Sequence, residues 1–470
     1  MQAEIAAIRF GMGARPGELD AAAADPRGWL AAQIKGAVPL ATSTPLASSE
    51  QIIIALLAAR EERQQMRRAA AESGDAKLAF NPVRAANLPH YREQVLARAQ
   101  SAALTSTPFA ERLVHFWSNH FAVSTDKGEL LGLAGTLENE AIRPHVGGRF
   151  ADMLIAVEQH PAMIAFLDNQ YSIGEHSEVA VLAAQRQAKR AANGEPARRF
   201  GINENLAREI LELHTLGVNG GYSQTDVTTF AEIITGWSIG GGKGRLAGGA
   251  PGRFYFRQNM HQPGPKTFLG KSYREDGQAQ GEAVLEDLSR NPATAQFIAT
   301  KLVRHFVADD PPPTVVARVA RAFSKSGGDL LHAYAALIES SEAWNADARK
   351  FKTPEDFVFS ALRALEATPQ QPEEVLRSFE LLGQRPYTPG SPAGWPDTAK
   401  SWDGSDALMR RVLWSTRAAA KYEKGIPPAQ LAVACLGKYA RAETLTALSR
   451  ATSSSQAVAL LLMSPEFQRR

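Results

Sequence analysis

Cysteine is all but missing from this chain: a single residue, Cys435, excludes an intrachain disulfide framework and any cysteine-rich zinc or iron–sulfur centre. Long apolar runs are missing too. The apolar stretch at 51–59 is followed at once by the charged segment 60–68, and it falls far short of the roughly 18 consecutive apolar residues of a membrane span. Neither sign of charge dominates. Lys and Arg number 52 against 49 Asp and Glu, and a net charge of +3 is too small to predict nucleic-acid binding. The start, MQAEIAAIRFGMG, places Glu4 where a secretory signal carries positive charge and has no hydrophobic stretch before Arg9. As written the chain reads as cytoplasmic; an export signal missing from this sequence would make it periplasmic. The zincin spacing HExxH, a Walker loop, a G-x-S-x-G elbow and a G-x-G-x-x-G behind a strand are all absent. The commonest metalloprotease, nucleotide-binding and serine-hydrolase signatures are therefore unsupported.

What is present is an ordinary globular composition, 44% hydrophobic and 21% charged, in a 470-residue chain long enough to bury a sizeable core. Apolar periodicity and helix-start signals predict a predominantly α-helical protein, a large multi-helix bundle. A helical hairpin is expected with residues 48–71 as its first arm. Thr107-Pro108 and Thr353-Pro354-Glu355-Asp356 have the cap-then-proline order of helix starts, and Ser223 with Asp226 has the spacing of a capping box. Pro161 kinks or restarts the helix at 149–167. Helices are expected over 203–216 and 224–237, separated by a turn through Gly217, Gly220 and Gly221. The glycine-rich excursion at 240–252 cannot be helical. After it, Phe254 and Phe256 alternate with polar neighbours, and 266–270 offers a partner strand, which predicts a small β-hairpin near 253–270. Residues 185–201, basic and broken by Gly194 and Pro196, read as an exposed loop or as a mobile, anion-binding flap. Residues 1–350 form the main helical body, and 351–470 a C-terminal helical region, either separate or packed into the same domain.

Function is suggested only by polar side chains on the apolar sides of their own helices. In 109–121, Phe109, Leu113, Phe116, Trp117 and Phe121 share one arc, and His120 falls inside it; Glu111, His115, Ser118 and Asn119 occupy the other, with His115 facing solvent. In NENLAREILELHTL, Glu204, Arg208 and Glu212 stack at four-residue steps, with Asn205 and Glu209 alongside. His214 sits on the opposite, apolar side with Leu206, Ile210 and Leu213. Asp226 shares a face with Val227, Phe230, Ile233, Ile234 and Trp237, where it can cap the helix and also present an oxygen inward. His261 and Lys266 lie together in HQPGPKTFLG, a loop suited to meeting a ligand. Converging in space, these groups would form a His/carboxylate cluster for acid–base work or hold a divalent metal ion through N and O ligands. Each also has a plain structural reading, as a buried hydrogen-bonded histidine, a helix cap or a solvated charge stripe.

The strings RLVHFWSNHFAVS (112–124), GRFADMLIAVEQHPAMIAFLDN (148–169), NENLAREILELHTLGVNGGYSQTDVTTFAEIITGW (203–237) and HQPGPKTFLG (261–270) resemble the bacterial family DUF1800. The likeness continues through ATAQFIATKLVRHFVADDPP (293–312) and GWPDTAKSW (394–402). It covers nearly the whole chain. Asn119, His120, Asn203, Glu204, Asn205, Arg208, Glu209, Glu212, Tyr222, Asp226, Trp237, His261 and Lys266 match the family pattern. Two positions depart from it: His214 stands where the family commonly has an aromatic residue, and Gln262 where it commonly has Asp. The resemblance implies a helical protein with no established reaction, often exported, with a DUF1501-family protein as partner. Two functions follow as expectations. In the first, His120, Glu209 and Asp226 serve a hydrolase-like enzyme, with or without a metal, and Arg208, Lys266 and His261 bind an anionic substrate. Asn119, Asn203, Glu204, Asn205, Glu212, His214, Tyr222 and Trp237 support them. In the second, a helical binding or assembly protein acts on a protein or cell-surface polymer through its 185–201 and 240–252 loops, and the polar cluster is structural.

Overall fold

Prolines 82, 108, 161, 292, 313, 354, 372 and 428 each open a helix in its first turn, where the missing N–H is one the helix leaves unpaired in any case. They punctuate a computed structural model that describes residues 1–42, 45–73, 80–191, 201–421 and 426–470. Within these residues lie 22 α-helices and two two-stranded antiparallel sheets, so the chain is predominantly helical. Ser49–Ser73 and Pro82–Leu104 pair as the expected hairpin. Pro161 restarts the helix: Phe150–Glu158 ends, and His160 caps Pro161–Phe166 by accepting from the Ala162 N–H at 3.1 Å. Thr353 caps Pro354–Ala364, as its sequence signal requires. No helix of the described residues is long and apolar enough to cross a membrane.

Three expectations need correction. The helix expected over 203–216 is α-helical only at Asn205–Glu209 and continues as a π-turn, Ile210–His214. The next helix, Gln224–Ile233, stops short of Trp237. Gly236 turns the chain at φ +82°, and a Cβ there would lie 2.6 Å from the Arg257 carbonyl oxygen, so only glycine permits the approach. Trp237 then begins a strand. The single hairpin expected near 253–270 is in fact two separate pairs. Strand β1 (Trp237–Ile239) pairs with β2 (Phe254–Phe256), and β3 (Lys266–Phe268) with β4 (Lys271–Tyr273). Leu269 and Gly270 both have positive φ, the geometry of a tight two-residue hairpin turn, so 266–268 pairs with its immediate successor.

The glycine-rich excursion between β1 and β2 is held down at many points. The Arg257 guanidinium donates to the carbonyls of Ile239, Leu246 and Ala247 at 2.6–2.9 Å. Ion pairs Arg253–Glu50 and Lys243–Glu61 tie the excursion to the Ser49–Ser73 helix. Of the 185–201 segment, the first part is helical, since Glu178–Ala191 is one helix; 192–200 lie outside the described residues.

One buried apolar cluster runs from Ile5 to Phe467 and draws on both 1–350 and 351–470. Arg363, fully buried, donates to the carbonyls of Gly13 and Ala102 and pairs with Glu18. Arg112 pairs with Asp356 at 2.7 Å. The C-terminal region is thus joined to the rest by charge as well as by apolar contact.

Candidate active site

The Pro108–His120 helix is the spine of the polar interior. It is buried almost all round, including the face expected to meet water: Glu111 is 0% exposed and His115 6%. That face packs on the π-turn Leu137–Ile142 and the start of the Pro354–Ala364 helix, whose neighbourhood supplies opposite charges. Arg143 grips Glu111 through two bonds of 2.7 and 2.8 Å and reaches Glu138 at 2.9 Å. Arg98 pairs with Glu138 and, at 2.9 Å, with Glu355. His115 lies between Glu111 and Glu355. Every carboxylate in this layer has a cation against it, and such a network specifies packing.

On the apolar side of the same helix the account is different. His120 Nε2 lies 3.1 Å from the main-chain oxygen of His214. A carbonyl only accepts, so Nε2 carries the proton and Nδ1 keeps a lone pair. That Nδ1 is buried and has no partner among the described residues. His214 Nδ1 lies 2.7 Å from Glu158 Oε1, both side chains being at most 1% exposed. With the Glu158 carboxylate as acceptor, Nδ1 carries the proton; Nε2 of His214 and Oε2 of Glu158 are buried and have no partner among the described residues. The two imidazole rings are 6.2 Å apart. Leaving a buried polar atom unsatisfied costs about 1–3 kcal/mol, so three on adjacent residues are a feature to be accounted for. Burial keeps His120 well below the usual imidazole range, with the nearby Lys301 charge acting the same way.

Glu209 closes the group on the outside. Its carboxyl is half-buried and is raised by burial, with Glu212 and Glu158 adding to the shift and His214 and Arg208 opposing it. Glu209 comes just before the π-turn and His214 ends it, and the two are coupled electrostatically. In an α-helix residues five apart lie about 140° round the axis, and i to i+5 bonding reduces that separation.

The opposite wall is the Pro292–Phe306 helix. Phe297, Lys301, Arg304 and His305 fall on one arc of about 100° and are all half-buried. The Phe297 ring is 6.2 Å from His120. His305 Nδ1 donates to Asp397 at 2.6 Å, and Asp397 also meets Lys350 and Arg470. Asn119 faces the loop before Asp397, exchanging hydrogen bonds with the Trp395 backbone at 2.7 and 2.9 Å. Gly394, at φ +82°, allows this, since a Cβ there would be 2.3 Å from the Asn119 carbonyl oxygen. A cavity of about 40 Å³ adjoins Asn119, Arg98, Glu355 and Tyr387, enough for water or a very small ligand.

The remaining residues singled out by sequence lie elsewhere. Asp226 completes the capping box with Ser223, and its other oxygen accepts from the Leu269 N–H at 3.0 Å. Both its oxygens are committed, and no bond joins it to His120 among the described residues. Asp226→Ala should therefore cost about 1–2 kcal/mol in stability, read as a lower Tm and as loosening of the β3–β4 turn. An unchanged melting curve would argue against the capping role. Arg208 is held by Glu204, Glu212 and Gln224. Asn203 bonds to Leu167 and Asn205, and Tyr222 to Glu212. His261 is buried against Thr235 and Glu275; Lys266 donates to two loop carbonyls and faces Glu232 at 3.7 Å. Trp237 is fully buried beside Gly281. His120 thus lies against His214, with Glu209 coupled to His214 electrostatically, while among the described residues Asp226, His261, Lys266 and Trp237 make no hydrogen bond or ion pair with them. Glu158, Lys301, His305 and Asp397 were not singled out. For Glu158 the signal existed, because it lies within 80° of Phe150 and Leu154 on its helix.

A divalent metal finds no complete set of ligands. The free lone pairs of His120, His214 and Glu158 are neighbours, yet among the described residues no three His, Cys, Asp or Glu groups are disposed to hold an ion. The helical architecture with this buried His/carboxylate group defines a class rather than an activity. The family model described as "Protein of unknown function (DUF1800)" matches residues 5–469, and the chain belongs to that family. No curated protein and no solved structure matches it.

Proposed function

We propose that the protein is an acid–base enzyme of hydrolase type, centred on His214. The observation that carries this is the buried Glu158–His214 bond, which fixes the ring so that Nε2 holds an unpartnered lone pair. A histidine oriented in this way by a carboxylate is a general base for water. Glu209, whose carboxyl is raised by half-burial, is the complementary proton donor, and it is the member of the group that reaches solvent. His120, neutral and bonded to the His214 carbonyl, holds the turn that presents both. Asp226, expected from sequence to share the chemistry, has the role of a helix cap. Arg143 engages both oxygens of the Glu111 carboxylate, whereas Glu158 Oε2 and His214 Nε2 have no partner among the described residues.

The test is turnover of a panel of esters, phosphoesters, glycosides and peptides by the wild-type chain and by His214→Gln and Glu209→Gln. Both variants should fall by roughly 10²–10⁴-fold, the usual span for loss of a general acid or base, while the helical spectrum is kept. Full activity in either variant would remove that residue from the mechanism, and no turnover of any class would leave the group structural.

A further inference from the structure

The cations bordering this site are, with two exceptions, already neutralised. Arg208 lies between Glu204 and Glu212, Lys350 between Asp309 and Asp397, Arg470 between Asp356 and Asp397, and Lys127 meets Asp168. The exceptions are neighbours on the half-buried face of the Pro292–Phe306 helix. Lys301 makes no ion pair and no hydrogen bond among the described residues; its ammonium lies 5.6 Å from the centre of the Phe297 ring. Among the described residues the Arg304 side chain, three residues on, donates only to the Asp309 main-chain oxygen, at 3.4 Å.

Two like charges at this spacing repel, and half-burial removes part of the water that would screen them. Burial pushes the Lys301 ammonium down to about 8, with Arg304 adding to the effect and Asp397 resisting it. Packing alone does not call for a charge at this position, since an apolar side chain would cover Phe297 equally well. An anion would meet both cations at once. We propose that the substrate carries an oxyanion, a carboxylate or a phosphate, and that Lys301, with Arg304 beside it, anchors that group. The inference rests on the acid–base reading above. It also moves anion recognition away from Arg208 and Lys266, whose charges are already matched. An anion seated on Lys301 places the rest of the molecule along Phe297, next to the His120–His214 layer.

Inorganic phosphate and acetate serve as probes, titrated calorimetrically into the full chain. Lys301→Gln should weaken their binding roughly tenfold or more, and Lys301→Arg should retain most of it. Independently, an amine-acylating reagent at pH 8 followed by peptide mass mapping should modify Lys301, and phosphate should protect it. Equal phosphate affinity in wild type and Lys301→Gln, or acylation indifferent to phosphate, overturns the anchor. His214→Gln and Glu209→Gln should bind the probes as wild type does, which separates the two readings. Lys301-dependent phosphate binding in a chain that turns over nothing would support the anchor and overturn the acid–base mechanism.

Discussion

Replacing Arg143 with alanine should destabilise the protein by about 3–5 kcal/mol, because it strands buried carboxylates. Glu111 is 0% exposed and Glu138 1%. Burial alone would raise the Glu111 carboxyl; Arg143 against it, helped by His115, overcomes this and holds it far below the usual range. Without the guanidinium, Glu111 must take up a proton or draw in water, and either loosens the Pro108–His120 helix on which His120 and Asn119 are mounted. Glu138 suffers less, since Arg98 still faces it. The paired change Arg143→Met with Glu111→Gln should recover most of the loss, since removing both charges leaves neither unpaired. Guanidinium unfolding measures both. A single-variant loss under about 1 kcal/mol would mean that the pair is solvated despite its burial.

Acid should weaken the fold well before ordinary carboxylates titrate. His305 is held down to about 4 by burial, with Asp397 resisting and Arg470 assisting; His120 and His115 are lowered too, burial again being the main cause. Each takes up a proton near pH 6.5 when unfolded and only at lower pH when folded. The unfolded chain therefore binds more protons across that window, and stability rises with pH through it. In the other direction, stability is lost as pH falls from about 6.5 towards 4. For His305 alone the shift corresponds to about 3 kcal/mol at most. Below that, Glu111, Asp356 and Asp397, all lowered by their cationic partners, continue the loss in the same sense. Glu209, raised, has the opposite sign and is a smaller contributor. Unfolding midpoints at pH 7, 6, 5 and 4.5 should decline steadily, and His305→Gln should flatten the upper part of the decline. A flat profile down to pH 5 would show that these rings are charged in the native state.

Sequence made the helices legible because their ends are written locally, in Thr353-Pro354, Ser223 with Asp226, and Pro161. It made His120 and His214 legible as polar groups inside apolar arcs, and the same rule would have reached Glu158. It misplaced His115, because a wheel distinguishes polar from apolar faces and does not distinguish water from a buried guanidinium. Asp397 and Trp395 lie in a loop, where no periodicity exists to be broken. Lys301 reads as an ordinary amphipathic lysine until the absence of a partner is seen in three dimensions. The two β-pairs were confused for a further reason: Phe254–Phe256 takes its partner from across the whole glycine-rich excursion, a pairing that local pattern does not encode.

Among the described residues the three π-turns, Ile5–Phe10, Leu137–Ile142 and Ile210–His214, each contain a buried ionisable side chain: Arg9, Glu138 and His214. A π-turn is an α-helix that has accommodated one extra residue. At Ile210–His214 the change of pitch lies between half-buried Glu209 and buried His214, while Leu206 and Ile210 remain in the core. Chemistry and scaffold on this helix therefore differ by a single insertion. The candidate centre is thus set by a local change of helical pitch, and the fold that carries it does not depend on that change for its apolar packing.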